Sequence, residues 1–235
     1  MPGKSSRIED TGRSTAFFPV VGLVIGLILV GLNWFFRFFL PPALTSALLV
    51  AAGAVLSGGL HLDGFIDTCD GVFVRRTPEE RLRIMDDSHV GAFGVIGGVL
   101  VLLVRYAALS NLSADIIPVA LILMSLTGRF LMVWAVFAYP YARPEGLGKI
   151  FKQQTTLLRL ILAMLITLVA AFGFARFTGL VIIGISWVII NIVTLYFRSR
   201  LGGLTGDTYG AVNEIAEVSV LILFNIMSTT GWFIG

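Results

Sequence analysis

Three aspartates lie at helical spacing in an otherwise apolar part of the chain. Asp63, Asp67 and Asp70 occur within residues 60–71, and on an α-helix they fall at positions i, i+4 and i+7, which share one face. Carboxylate oxygens are the ligands that hard divalent cations such as Mg²⁺ prefer. Three like charges beside lipid are costly unless a cation offsets them. The spacing therefore predicts a divalent metal site on a helix.

The composition indicates that most of the chain lies in a membrane. Apolar residues make up 57% of the sequence and charged residues 13%, and the mean hydropathy is +0.92, well above the range of soluble proteins. Pro41 and Pro42 separate two apolar stretches, and a few residues around Phe177 separate two others, which predicts two helical hairpins. We expect an all-α polytopic integral membrane protein with about seven transmembrane helices. The predicted spans are 16–40, 43–60, 92–110, 117–138, 157–175, 179–197 and 215–234.

The distribution of basic residues predicts the orientation. If the polar N-terminal lead, residues 1–15, is cytoplasmic, only Arg37 and Arg176 lie in outer connections, as the positive-inside rule favours. The cytoplasmic lysines and arginines are then Lys4, Arg7, Arg13, Arg75, Arg76, Arg81, Arg83, Arg143, Lys149, Lys152, Arg198 and Arg200. Residues 16–235 are expected to form a single transmembrane catalytic domain with its site on the cytoplasmic face. The cytoplasmic loops are about 61–91, 139–156 and 198–214.

The first cytoplasmic loop carries further acids after the aspartates. Thr77 is followed by proline and, three residues on, by Glu80, which is the pattern of a capping box at the start of a helix. This short interfacial helix would return Asp86 and Asp87 to the membrane surface. These two acids could then belong to the same site as the three aspartates, and the alternative is that both are exposed charges at a helix end.

The other two loops add both acids and cations. Asp207 and Glu214 lie seven residues apart in a glycine-rich run and share a helix face. Lys149 also follows glycines; the spacing is not that of a Walker loop, but the ammonium group can bind phosphate as a point charge. Arg129 lies inside the fourth apolar stretch, where an arginine needs a partner or a cavity. We expect Arg129 to face the acids.

The positions of the acids favour an enzyme over a transporter. Apart from the polar lead and Asp115 in an outer loop, the acids are expected in the cytoplasmic loops or at adjoining helix ends, with none in mid-span. Ion-coupled transporters place ionisable groups near the bilayer midplane.

The single cysteine, Cys69, excludes an internal disulfide, and the positive-inside rule explains the net charge of +3 without nucleic acid. Carboxylates and cations at a membrane surface predict phosphoryl or nucleotidyl transfer with a metal ion.

Six motifs in a fixed order resemble the cobalamin synthase family, the adenosylcobinamide-GDP ribazoletransferases. They run from about residue 17 to residue 217. They are Phe18-Pro19-Val20-Val21-Gly22, His61-Leu62-Asp63-Gly64-x-x-Asp67-x-x-Asp70-Gly71, Ile84-Met85-Asp86-Asp87-Ser88-x-x-Gly91, Gly128-Arg129, Tyr141-Ala142-Arg143-x-Glu145-Gly146-Leu147-Gly148, and Gly202-Gly203-x-Thr205-Gly206-Asp207-x-x-Gly210-Ala211-x-x-Glu214. The chain departs from the family at its start, where members commonly carry an additional apolar segment.

The resemblance implies a magnesium-dependent transferase in a late step of cobalamin (vitamin B12) biosynthesis. Adenosylcobinamide-GDP and alpha-ribazole, or its 5'-phosphate, would give the cobalamin product and GMP through a new phosphodiester bond. The implied Mg²⁺ ligands are Asp63, Asp67, Asp70 and Asp87. The implied catalytic residues are Asp67, Asp207, Glu214 and His61, and either Asp207 or Glu214 would act as general base or complete a second metal position. The implied phosphate contacts are Arg129, Arg143, Lys149 and Arg75.

Two other functions compete with this interpretation. The CDP-alcohol phosphotransferases also use an aspartate-rich membrane site, but their Asp-x-x-Asp-Gly-x-x-Ala-Arg pattern is absent from the chain. A transporter of a corrinoid or a cation is the second, and the expected empty midplane argues against it.

The expected location is the cytoplasmic (inner) membrane of a prokaryote, with the N-terminus and the active-site loops in the cytoplasm. Membrane lipid, a second copy of the chain and other cobalamin-assembly enzymes are candidate partners, whereas nucleic acid is not.

Overall fold

The computed structural model describes residues 14–230, and within them it is helical. A short 3₁₀ turn, Ser14–Phe17, precedes nine α-helices. These are α1 (Phe18–Phe39), α2 (Pro42–Leu56), α3 (Leu60–Phe73), α4 (Pro78–Met85), α5 (Ala92–Asn111), α6 (Ile117–Ala138), α7 (Leu147–Gln154), α8 (Leu157–Leu201) and α9 (Gly206–Thr229). The prediction of an all-α membrane protein is confirmed. The predicted lead falls outside the described residues except for residues 14–15, as does the end of the last predicted span.

Five of the helical segments are long and apolar enough to cross a membrane, or six if α2 and α3, bent by 90°, count as one span. The difference from seven lies in α8, whose backbone leaves helical dihedral angles at Ala175 and Arg176. A Cβ on Gly179 would lie 2.7 Å from the Ala171 carbonyl oxygen, although eight residues of straight helix span about 12 Å. The chain therefore reverses within α8, as the predicted hairpin requires; the number of spans stays a prediction.

Helix α6 forms the centre of the bundle. Residues 120–133 are all buried, and α1, α8 and α9 pack around them. Small residues bring the helices together: a Cβ on Gly26 of α1 would lie 2.7 Å from the Ile122 Cα of α6. This close packing of small residues is typical of helices in membranes, where there is no hydrophobic driving force between them.

Two local arrangements position the polar connections. The predicted capping box at Thr77 is confirmed, because its hydroxyl accepts from Glu80 N at 3.3 Å and Glu80 Oε2 accepts from Thr77 N at 3.0 Å. Helix α4 then buries Arg81, which donates to the carbonyls of Gly71 and Val72 at 2.9 and 2.6 Å. The guanidinium thus satisfies carbonyls that the C-terminal end of α3 leaves unpaired.

Candidate active site

The face of α3 that carries the three aspartates exposes them unequally. Asp63 is exposed, Asp67 is partly buried and Asp70 is buried. The negative charges of Asp63 and Asp70 both act on the Asp67 carboxylate, as does that of Asp207 from α9. The helix and the common face predicted for the aspartates are therefore present, with Asp67 at the centre of the negative charge.

Glycines bring α9 against α3. A Cβ on Gly64 would lie 2.7 Å from the Asp207 carbonyl oxygen, and one on Gly210 would lie 3.0 Å from the His61 carbonyl oxygen. The Thr205 hydroxyl accepts from Thr208 N at 3.2 Å and so caps the first turn of α9. Two helices that touch at their backbones hold the carboxylates of both on one side.

Arg143 brings positive charge to this acidic group. Its Nη2 lies 3.1 Å from Asp207 Oδ2 and 3.0 Å from Asp86 Oδ1. The segment that carries Arg143 is held against the residues before α9, because Ala142 N donates to Leu204 O and Leu204 N donates to Pro140 O, each at 2.8 Å. The three polar loops thus meet at one site, which we define as Asp63, Asp67, Asp86, Arg143 and Asp207.

Asp70 has protein partners for both of its oxygens. Gly91 N donates to Oδ2 at 2.7 Å and Gly94 N donates to Oδ1 at 2.8 Å. These amides belong to the beginning of α5, where backbone N–H groups lack helical partners and an anion is favoured. Asp70 therefore joins α3 to α5, and its role as a metal ligand stays a prediction.

The donor chemistry of the site fits Mg²⁺, but the carboxylates do not form a closed cage. Within residues 14–230, no group of three or more His, Cys, Asp and Glu side chains is arranged to hold a metal ion. Mg²⁺ is commonly bound by one or two carboxylates together with waters and substrate phosphates. Asp63 and Asp67 suit such a cation. Three negative charges act on the Asp67 carboxylate, and among these neighbouring charges only Arg143 is positive, so a bound cation would offset the remaining negative charge.

A second charged cluster is buried between α5, α6 and α9. Arg105 Nη2 lies 2.9 Å from both Glu214 Oε2 and Glu217 Oε2. Arg129 Nη1 donates to Glu217 Oε1 at 2.8 Å and also to Asn213. Two arginines and two glutamates give no net charge, so each buried ion has an opposite partner. The expectation that Arg129 faces acids is confirmed.

This cluster corrects the expectation that no acid lies in mid-span. Glu217 is the twelfth of the 24 residues of α9, and both Glu214 and Glu217 are buried. Helix α9 begins at residue 206, whereas the predicted span begins at residue 215, so both acids lie inside the helix rather than at its end. Arg105 was missed entirely, although an arginine inside an apolar stretch is the same signal that identified Arg129. The argument against a transporter that relied on an empty midplane therefore does not hold.

The remaining predicted site residues are dispersed. Glu214 binds Arg105 rather than sharing partners with Asp207, and His61, with its Nδ1 buried, lies near the charges of the buried cluster. Lys149 donates to Pro144 O. Asp87 is exposed beside His89, and hydrogen bonds from His89 lower the pKa of its carboxyl. Arg75 follows the C-terminal end of α3, about 18 Å along the helix direction from Asp63.

Comparisons with known proteins agree with one another. A family model described as Cobalamin-5-phosphate synthase matches residues 1–225. The chain is 39% identical over 214 residues to a protein named adenosylcobinamide-GDP ribazoletransferase from Thermosynechococcus vestitus, which covers 90% of this chain and 86% of that protein. It is 36% identical over 227 residues to the protein of the same name from Geotalea daltonii, covering 97% and 91%. No solved structure matches the chain.

Proposed function

The chain belongs to the cobalamin-5-phosphate synthase family, and we propose that it joins adenosylcobinamide-GDP to alpha-ribazole or its 5'-phosphate with Mg²⁺ as cofactor. Family membership makes it a transferase of cobalamin synthesis. The proposed reaction forms a bond between the cobinamide-side phosphorus and the ribazole hydroxyl oxygen. It breaks the bond from that phosphorus to the bridging oxygen, which leaves with GMP. The proton of the ribazole hydroxyl passes to a base.

The observation that carries this proposal is the meeting of Asp63, Asp67, Asp207 and Arg143 at one site. Asp63 and Asp67 would hold Mg²⁺, which, when bound, would neutralise charge on the diphosphate. Arg143 supplies a guanidinium for the phosphate oxygens of the departing GMP. Its ion pairs with Asp86 and Asp207 hold it in place before substrate binds.

We assign the role of base to Asp207 rather than to Glu214. Asp207 is partly exposed at the site, whereas Glu214 is buried against Arg105. A base must reach the hydroxyl that it deprotonates directly or through one water, and this favours the more accessible carboxylate. In this proposal the buried ion cluster, with Arg129, Glu214 and the nearby His61, holds together the helices that carry the site. Arg75 and Asp87 are not among the proposed substrate contacts.

We place the protein in the cytoplasmic membrane with the site facing the cytoplasm. The support is the concentration of basic residues in the loops that carry the site and the apolar helices between them. Association with a second copy or with other cobalamin-assembly enzymes is part of the same proposal.

The experiment is a product assay with the full chain reconstituted in lipid. Adenosylcobinamide-GDP and alpha-ribazole 5'-phosphate are supplied with Mg²⁺ or with EDTA, and GMP and corrinoid product are quantified by mass spectrometry. We expect metal-dependent release of equal amounts of GMP and corrinoid product, and loss of nearly all turnover in Asp67→Asn. Asp115→Asn, an exposed acid between α5 and α6, is the matched control and should keep full turnover.

Two results would contradict the proposal. Turnover in EDTA equal to that in Mg²⁺ would show that the reaction needs no metal ion. Near-normal turnover of a folded Asp67→Asn variant would show that the Asp67 carboxylate is not required. A reaction with CDP-diacylglycerol and an alcohol in place of the corrinoid substrate would favour the CDP-alcohol phosphotransferase chemistry instead.

A further inference from the structure

An apolar cavity lies between four helices of the bundle. Its volume is about 780 Å³, within the range of roughly 300–1,000 Å³ typical of ligand pockets. Its walls come from α3, α5, α8 and α9. They include Phe65 and Phe73 of α3, Val101 of α5, Val193 and Tyr196 of α8, and Ile222 of α9.

Three of the helices around this cavity, α5, α8 and α9, are each long and apolar enough to span a membrane, so we expect the cavity to face lipid. Many of the wall residues are exposed, among them Phe73, Leu100 and Ile222. Acyl chains are as apolar as such walls, and they are the molecules present at that depth. A cavity of this kind therefore suits a hydrocarbon chain.

A second cavity, shallow and open to the surface and of about 590 Å³, is lined by arginines. Arg75, Arg76 and Arg200 contribute to its walls, with Thr77, Glu80 and Arg81. The Arg81 guanidinium already donates to backbone carbonyls, and Glu80 Oε2 accepts from Thr77 N. In the part of the chain that the structure describes, the side chains of Arg75, Arg76 and Arg200 make no hydrogen bond or ion pair. Three guanidinium groups are thus available to an anion.

Phe73 and Tyr196 of the apolar cavity lie next to arginines of the second cavity. These rings line the apolar cavity with their centroids 6.5 Å apart. Arg200 Cζ lies 5.2 Å from the Tyr196 ring centroid, and Arg75 follows Phe73 by two residues. The arginine-lined cavity therefore lies at the end of the apolar one.

We propose that these adjoining cavities form a binding site for an anionic phospholipid. The lipid phosphate lies among Arg75, Arg76 and Arg200, and one acyl chain lies in the apolar cavity between α3, α5, α8 and α9. Basic groups beside transmembrane helices attract anionic lipid headgroups, and guanidinium groups match phosphate geometry. Because α3 carries Asp63 and Asp67 on another face, the lipid contacts the helix that positions the candidate active site.

The test measures lipid selectivity of the full chain. Delipidated protein in detergent micelles is titrated with palmitoyl-oleoyl phosphatidylglycerol or phosphatidylcholine, and the first bound lipid is quantified by native mass spectrometry. We expect phosphatidylglycerol to bind at least about tenfold more tightly. The Arg75→Gln/Arg76→Gln/Arg200→Gln variant should lose at least that factor. Arg83→Gln removes an exposed arginine of the same region that does not line the cavity, and it should bind as the unaltered chain does.

Further arms separate the lipid from other sources of phosphate. Val193→Trp fills the apolar cavity, and we expect it to weaken phosphatidylglycerol binding while the protein still elutes as a single species. Because this variant keeps all three arginines, it tests the site even if the triple variant fails to fold. Glycerophosphoglycerol, the headgroup without chains, should not bind at concentrations where the lipid saturates.

Several outcomes would overturn the proposal. These are equal affinity for the two lipids, unchanged phosphatidylglycerol affinity in a folded triple variant or in Val193→Trp, and binding of glycerophosphoglycerol as tight as that of the lipid. Displacement of the lipid by GDP would assign the arginines to the nucleotide instead.

Discussion

The buried position of Arg105 makes its replacement the most sensitive test of the internal ion cluster. In Arg105→Met the side chain keeps a similar length and apolar character along its stem, but the charge is removed. Glu217 retains Arg129 at 2.8 Å, whereas Glu214 loses its only cationic partner within 4 Å among the described residues. The variant therefore leaves one buried carboxylate without compensation.

The size of the effect follows from the geometry. At 2.9 Å and an effective dielectric constant of about 20, each Arg105 contact is worth about 6 kcal/mol before desolvation is subtracted. Removing one partner of a buried ion pair costs about 3–5 kcal/mol net. For a chain of this length, about 2–4 °C of Tm corresponds to 1 kcal/mol, so the expected decrease in Tm is roughly 6–20 °C.

The assay is thermal unfolding of the purified variants in one detergent, followed by tryptophan fluorescence. The double variant Arg105→Met/Glu214→Gln restores neutrality in the cluster, and we expect it to recover at least half of the loss. An Arg105→Met variant within about 2 °C of the unaltered protein would refute the reasoning. So would a double variant less stable than Arg105→Met alone, because the unpaired charge would then not be the cause.

Two further variants test how the helices that carry the site are joined. Gly64→Ala should lower both Tm and turnover, because the new methyl group would lie 2.7 Å from the Asp207 carbonyl oxygen, and such overpacking costs about 1–3 kcal/mol. The control is Gly184→Ala, at a helix position with open space, which should be neutral or stabilise by up to about 1 kcal/mol. Equal effects of the two substitutions would contradict the close crossing of α3 and α9. Asp70→Asn should lower the free energy of unfolding by about 1–3 kcal/mol, because the amide NH₂ that replaces one carboxylate oxygen cannot accept, and either Gly91 N or Gly94 N then loses its acceptor. Asp115→Asn is the control for Asp70→Asn. Equal Tm values for the two variants would show that the hydrogen bonds from Asp70 to α5 do not contribute to stability.

The sequence by itself determined the class of protein, most of the helices and the family. Apolar runs of membrane-spanning length identify helices without tertiary information, since backbone hydrogen bonds inside a bilayer must be satisfied within the helix. The capping box at Thr77 was equally local, because it involves groups three residues apart. The order of the motifs identified the family, and helical spacing alone was enough to place Asp63, Asp67 and Asp70 on one face.

Only the tertiary structure decided which charged groups meet. Arg105 and Glu217 are 112 residues apart in the chain, and spacing within one helix carries no information about such a pair. The roles of the three aspartates separated for the same reason: glycines let α9 approach Asp63 and Asp67, whereas the amides that bind Asp70 belong to α5. Local periodicity fixes the face on which a side chain lies, but the packing of other helices against that face fixes its partner.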